Sequence, residues 1–234
     1  AARVEVLGNI KYDSVDTAPL TPDSIAEARG MLGLPAQAKV LIGGSTHPGE
    51  EGALLAAYRP LCEKIRDLRL VLVPRYPHRL EAVGKEIVSY GLSCVRRSKL
   101  KDLGVGAFEG ISEANRARAL VLVDTMGELG RLYRAADVAF VGGSLIRHGG
   151  QNPMEPAGMG LPVIYGPHMH NFEEPVQILR DAQGSIMLED AGALAGALEK
   201  LLTNPEDAKA MGARARAALL KRQGATAKCV AYLK

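Results

Sequence analysis

Two stretches of this sequence carry side chains suited to holding an anion. The first is Gly142-Gly143-Ser144, followed by His148-Gly149-Gly150-Gln151-Asn152-Pro153-Met154-Glu155-Pro156. Paired glycines let a backbone approach a phosphate, and a helix beginning at Pro153 aims free N–H groups and a positive dipole end at it. The same residues also serve a purely local purpose, because Asn152 and Glu155 on either side of Pro153 fit a helix capping box. Glu155 has two readings of its own. It is placed to accept both hydroxyls of a ribose, or it complements the helix dipole by about 0.3–1 kcal/mol. The second stretch is Pro74-Arg75-Tyr76-Pro77-His78-Arg79. A planar guanidinium directly after an apolar run suits a phosphate or carboxylate. The flanking prolines favour a positioned group over a surface ion pair.

Two weaker stretches have the same form. In Asp124-Thr125-Met126-Gly127-Glu128-Leu129, Thr125 and Glu128 fit another capping box, while the loop backbone and Met126 offer a base or ribose a contact. In Gly43-Gly44-Ser45-Thr46-His47-Pro48-Gly49-Glu50, a glycine-rich turn precedes a helix. It is a second anion contact or only a strand-to-helix turn. No GKS or GKT follows, so it is not a Walker loop, and it does not match GxGxxG. His148, His168 and His170 show no HExxH spacing and no cysteine pair lies near them, so no metal site is expected. The absence of a GxSxG elbow argues against a serine nucleophile.

These residues need elements to position them. Apolar runs predict strands over 4–7, 40–42, 70–73, 120–123, 138–141, 162–165 and 185–188, with a further one near 92–95. KVLIGG, LRLVLVP, LVLVD and VAFVGG are nearly continuous in Val, Leu and their like, as strands of a parallel sheet buried on both faces are. Helical periodicity predicts helices over 22–32, 48–66, 78–89, 127–135, 153–159, 173–181, 191–202, 205–222 and 225–234. Residues 96–119, with RRSKLK and then GVGAFEG, read as a loop or excursion. Strand-helix alternation of this kind predicts an α/β fold, a Rossmann-like doubly wound parallel sheet in one domain spanning 1–234. In such sheets ligands bind beyond the carboxyl ends of the strands. The glycine-, histidine-, arginine- and carboxylate-rich stretches follow five of the apolar runs, so they should meet at one edge.

Composition sets the outer bounds. The chain has 234 residues, 47% hydrophobic and 24% charged, with a net charge of +3. It is long enough to bury roughly 70–75% of its unfolded surface. Cys62, Cys94 and Cys229 are odd in number and far apart, which suits reduced thiols rather than a disulfide framework. There is no tryptophan and no basic run interleaved with aromatics, so a nucleic-acid partner is not expected. No apolar stretch reaches the ~20 residues that span a bilayer. The N-terminus lacks the apolar core of a signal peptide. A chain that opens directly on a predicted strand reads as a piece of a longer protein.

Taken together, GNIKYD, GGSTHPGEE, LVLVPRYPHR, VLVDTMGELG, ADVAFVGGSL, HGGQNPMEP and VIYGPHMHNFEE resemble the C-terminal domain of the 3-deoxy-D-manno-octulosonic acid (Kdo) transferases, glycosyltransferase family 30, which have the GT-B fold. The stretches occur in the family's order over residues 8 to about 174. The resemblance implies a domain that binds CMP-Kdo, a donor substrate rather than a cofactor, for transfer of Kdo to lipid A precursor (lipid IVA) in lipopolysaccharide biosynthesis. By position, Arg75 would hold the donor's anionic groups, and Met126, Gly127 and Glu128 would line the cytidine. Ser144, His148, Gly149 and Gly150 would cradle the phosphate, and Asn152 and Glu155 would hold the nucleotide and ribose. Gln151 stands where many relatives carry histidine and receives no role. The family's mechanism is inverting and metal-independent. Its general base is a glutamate on an N-terminal acceptor domain, beside the part that meets the cytoplasmic face of the bacterial inner membrane. Residues 1–234 hold no counterpart of that domain, so this chain should bind donor, stay soluble and not complete transfer. A GT-B half using a UDP-sugar and a non-catalytic nucleotide-binding module are the competing readings.

Overall fold

The computed structural model describes residues 4–103 and 119–233. Seven strands, β1 (Lys39–Thr46), β2 (Leu68–Pro74), β3 (Ser93–Arg96), β4 (Ala119–Leu122), β5 (Val138–Val141), β6 (Val163–Tyr165) and β7 (Ser185–Met187), form one sheet in the order β3-β4-β2-β1-β5-β6-β7. Every pairing is parallel. The helices are α1 (Pro22–Met31), α2 (Glu50–Lys64), α3 (Leu80–Ser89), α4 (Arg97–Leu103), α5 (Leu129–Leu132), α6 (Met154–Gly158), α7 (Glu173–Asp181), α8 (Leu194–Thr203), α9 (Pro205–Leu220) and α10 (Ala225–Tyr232).

The apolar runs explain this layering. Successive side chains of a strand point to opposite faces. Leu41, Leu70, Leu72, Leu120, Leu122 and Phe140 therefore join one core with Leu54, Tyr58 and Leu61 of α2 and Leu194 and Leu198 of α8. Their neighbours Val40, Ile42, Val71, Val73, Val121 and Ala139 join a second core with Ala28 of α1 and with Leu132 and Tyr133. A third cluster packs Val141, Val163 and Tyr165 against Leu179 of α7 and Ala215 and Leu219 of α9. With both faces covered, the strands have no need of polar alternation.

The sequence expectations hold for most elements and fail at two. Residues 4–7 form no strand, and Val4 and Val6 are about 90% exposed (90% and 89%). A strand is held by its ladder, and the sheet's edges are β3 and β7, so the valine alternation there meets neither partner nor core. The stretch from residue 96 is not simply a loop, because α4 begins it at Arg97. Its first turn is fixed from outside: Ser98 donates from N and Oγ to the Asp124 carboxylate at 2.8 and 2.7 Å. The remainder of that excursion, residues 104–118, lies outside the described residues. Several predicted helices open on a separate 3-10 turn, as at Pro77–Arg79 before α3 and Ala191–Ala193 before α8.

The order places β2 and β5 on opposite sides of β1, so the connections that follow β1 and β5 run in opposite directions and a crevice opens where these two strands end. Ligands of open α/β sheets bind at such a switch point. On the opposite side of the molecule, α9 lies close against the turn before β6. A Cβ on Gly212 would stand 1.8 Å from the Gly160 carbonyl oxygen, whereas one on Gly84 of α3 meets nothing within 4 Å. Gly212→Ala should therefore lose about 1–3 kcal/mol through overpacking. Gly84→Ala should gain roughly 0.5–1 kcal/mol from helix propensity. Urea midpoints of the two variants against the parent chain read the contrast.

Candidate functional site

A cavity of about 410 Å³ opens at this switch point. The end of β1 gives it Ser45, and the end of β2 gives Val73, Pro74 and Arg75. The loop after β4 gives Thr125, Met126 and Gly127, and the helical turns that follow give Leu129, Gly130 and Tyr133. The approach to α6 gives Gln151, Asn152 and Glu155. Of the ten residues singled out from the sequence, Arg75, Met126, Gly127, Asn152 and Glu155 thus share one wall-to-wall space.

Each is held by its neighbours. The Arg75 N–H donates to Thr46 O at 2.9 Å, tying the end of β2 to β1. Its exposed guanidinium has no carboxylate partner among the described residues. Asn152 receives the Met154 N–H at 3.0 Å through Oδ1 and donates from Nδ2 to Glu155 Oε1 at 3.1 Å. The predicted capping pair therefore meets side chain to side chain, with Glu155 still facing the cavity. Met126 is exposed at its rim.

Two of the ten have other engagements. Glu128 is not among the lining residues. It accepts from Arg97 at 3.3 Å and from the Thr125 hydroxyl, because buried Arg97 needs a carboxylate partner. Ser144 is fully buried, and its hydroxyl donates to Val141 O at 2.5 Å while accepting from Gly166 N at 2.9 Å. That hydroxyl bridges the ends of β5 and β6 and has no share in the cavity wall. His148, Gly149 and Gly150 also lie off the lining. His148 is exposed beside the crevice, and the Gly149 carbonyl receives the Asn171 N–H at 3.0 Å. A Cβ on Gly149, whose φ is +103°, would stand 2.2 Å from Asn171 Nδ2, so that glycine admits the protein's own turn.

The residue that sequence reasoning missed is Glu50. Its carboxylate is fully buried in the first turn of α2. It accepts four backbone N–H groups: His47 at 3.0 Å, Gly143 at 2.6 Å, Ser144 at 2.9 Å and Leu145 at 2.9 Å. Burial pushes its pKa above the ordinary carboxylate value, and these N–H groups pull it back down. The glycine-rich loop after β5 is indeed an anion cradle, but the anion in it belongs to the protein. Gly142 makes the crossing possible, since a Cβ there would stand 2.3 Å from the Ser45 carbonyl oxygen, at a residue whose own φ is +52°. The neighbouring carboxylate, Glu51, is buried too. It accepts from Thr46 Oγ1 at 2.9 Å and from both terminal nitrogens of Arg79 at 2.8 and 3.3 Å. The only sequence signal for either role was a pair of glutamates opening an otherwise apolar helix.

No family model matches the chain. Comparison with known proteins is otherwise informative. A glycosyltransferase from Rickettsia africae superposes with a TM-score of 0.63 at 16% identity, over 97% of this chain and 54% of that one. The C-terminal CMP-Kdo binding domain of WaaA from Acinetobacter baumannii superposes with a TM-score of 0.71 at 30% identity, over 85% of this chain and 97% of that domain. Fold and strand-end crevice together define the C-terminal domain of a GT-B glycosyltransferase. The 3-deoxy-D-manno-octulosonic acid transferase of Haemophilus influenzae is 34% identical over 99% of this chain and 51% of its own length. That of Bordetella pertussis is 33% identical over 94% and 49%. The chain belongs to the Kdo transferase family, and it spans about half the length of these relatives. Among the described residues no helix is long and apolar enough to cross a membrane.

The internal carboxylate is testable through stability. Glu50→Gln keeps the shape but turns an amide N–H toward backbone donors, leaving buried groups unpaired. It should cost about 2–4 kcal/mol, read as a lowered urea midpoint with an unchanged slope.

Proposed function

We propose that this chain is the donor-binding half of a Kdo transferase and holds CMP-Kdo in the cavity between the ends of β1, β2, β4 and β5. The observation that carries the reading is the Arg75 guanidinium, without a carboxylate partner among the described residues, sharing one cavity with the Asn152–Glu155 pair and the Met126-Gly127 loop, in a chain 30% identical to a CMP-Kdo binding domain. Arg75 binds the anionic groups of the donor. The free oxygen of Glu155 accepts the ribose hydroxyls, with Asn152 holding that carboxylate in place. Met126 and Gly127 lie along the cytidine. His148 with Gly149 and Gly150 borders the phosphate, while Glu128 and Ser144 shape the loops from behind.

This arrangement suits the departure of CMP. Negative charge grows on the leaving phosphate as an acceptor hydroxyl attacks the anomeric carbon. A preorganised guanidinium in a crevice stabilises that charge without a metal or cofactor. The attacking hydroxyl, on lipid A precursor, still needs a general base. The reading assigns that base, and the contact with the cytoplasmic face of the inner membrane, to an N-terminal domain. Residues 1–234 with CMP-Kdo and lipid acceptor should accordingly transfer no sugar.

Calorimetric titration tests the site. The chain should bind CMP in preference to UMP, and both Arg75→Ala and Glu155→Ala should weaken CMP at least tenfold, while Lys64→Ala on the far end of α2 changes nothing. Preference for UMP would favour a UDP-sugar enzyme. Unchanged affinity in both cavity variants would remove the assignment.

A further inference from the structure

Beside the proposed donor cavity, His47, Tyr76 and His78 form a cluster of rings with His148. His47 is only 2% exposed. Its ring centroid lies 4.1 Å from that of His148 and 5.4 Å from that of Tyr76, which itself stacks on His78 at 5.6 Å. The cluster grows from the same three loops as the cavity. Ser45, Arg75 and Gln151 line the cavity, and His47, Tyr76 and His148 stand within three residues of them. The sheet order sets His47 and His148 at the β1–β5 side, with β2 between them and the Met126-Gly127 loop after β4. A donor with its base at that loop and its phosphate by Arg75 therefore has its sugar nearest these rings.

The protonation of His47 follows from its neighbours. Nδ1 lies 3.0 Å from Ser45 O, and a carbonyl oxygen only accepts, so Nδ1 carries the hydrogen. Burial and the adjacent His148 hold its pKa below the ordinary histidine value, which keeps the ring neutral. Nε2 is then a pure acceptor, and it is buried with no hydrogen-bond partner among the described residues. Buried polar atoms in native proteins are nearly always paired, so an orphan two residues from cavity-lining Ser45 is a group open to completion by a ligand. The two rings packed against that of His47, Tyr76 and His148, are both exposed.

We propose that His47 is a specificity residue for the donor's sugar: its Nε2 accepts a hydrogen bond from a sugar hydroxyl beside the Tyr76 ring. The inference rests on the donor-binding reading. A lone-pair acceptor welcomes an O–H and repels a carboxylate or phosphate oxygen, so the subsite orients the sugar by its hydroxyls and directs its carboxylate elsewhere.

Titration of wild-type chain and His47→Phe with CMP and with CMP-Kdo separates the possibilities. Phenylalanine keeps the ring and removes the acceptor. CMP-Kdo affinity should fall about tenfold, the equivalent of one lost hydrogen bond, while CMP affinity changes less than twofold. Equal losses for both ligands, or no loss for either, would overturn the proposal while leaving nucleotide binding standing. Failure of the wild-type chain to bind either ligand would remove the donor reading itself and this subsite with it. Should the variant not fold, 15N spectra of histidine-labelled wild-type chain decide. The His47 Nε2 signal should shift with CMP-Kdo and not with CMP, and a signal that ignores CMP-Kdo contradicts the assignment.

Discussion

A carboxylate buried among backbone N–H groups organises this domain's ligand edge. Glu50 reaches from the first turn of α2 to the loop after β5, 93 to 95 residues further along the chain. Those N–H groups would otherwise be orphaned, since the loop is too tightly turned to pair them with itself. The carboxylate in turn has no water to solvate it, and four donors replace its hydration. Neither side is tolerable without the other, because an unpaired buried charge or N–H group costs far more than the pair gains. The consequence is a fixed juxtaposition of β1 and β5 at the point where the sheet's connections diverge.

The flanking charges follow the same logic. Glu51 binds Arg79, which anchors the turn after β2, and Glu128 binds Arg97, which anchors α4 to the loop after β4. Three loops are thus pinned by carboxylates that point inward. Against that background the exposed guanidinium of Arg75 is distinctive: it sits between two pinned loops with its backbone bonded to β1 and its charge unanswered among the described residues. Glu50, Glu51 and Glu128 are committed to partners of the protein, whereas Arg75 is not, which leaves a cation of the crevice free to meet an anionic ligand.

The sheet was largely legible in the sequence because burial on both faces removes polar alternation, and KVLIGG or VAFVGG admits few other readings. The lone alternation of Val4 and Val6 misled for the complementary reason: pattern gives a strand its faces but not its partner. Cavity residues at strand ends, such as Arg75 and Asn152, were legible because an α/β sheet sends its ligand edge there. Glu50, Glu51 and Arg97 were not. A glutamate in a helix's first turn looks like a dipole complement, and RRSKLK looks like a solvated charge run. Their burial depends on partners brought together only by the folded chain, as with Arg97 and Glu128, 31 residues apart. The engagement of Ser144 was hidden for the same reason, since its hydroxyl accepts from Gly166 across the β5–β6 boundary.

The most direct test of the central claim is a crystal structure of this chain with CMP. The phosphate should lie on Arg75, the ribose hydroxyls on Glu155 and the cytosine along Met126 and Gly127, with Glu50 still bonded to Gly143, Ser144 and Leu145. CMP bound in the separate cavity of about 210 Å³ beside Lys39 and Leu202, or a phosphate seated on the loop N–H groups with Glu50 displaced, would contradict it.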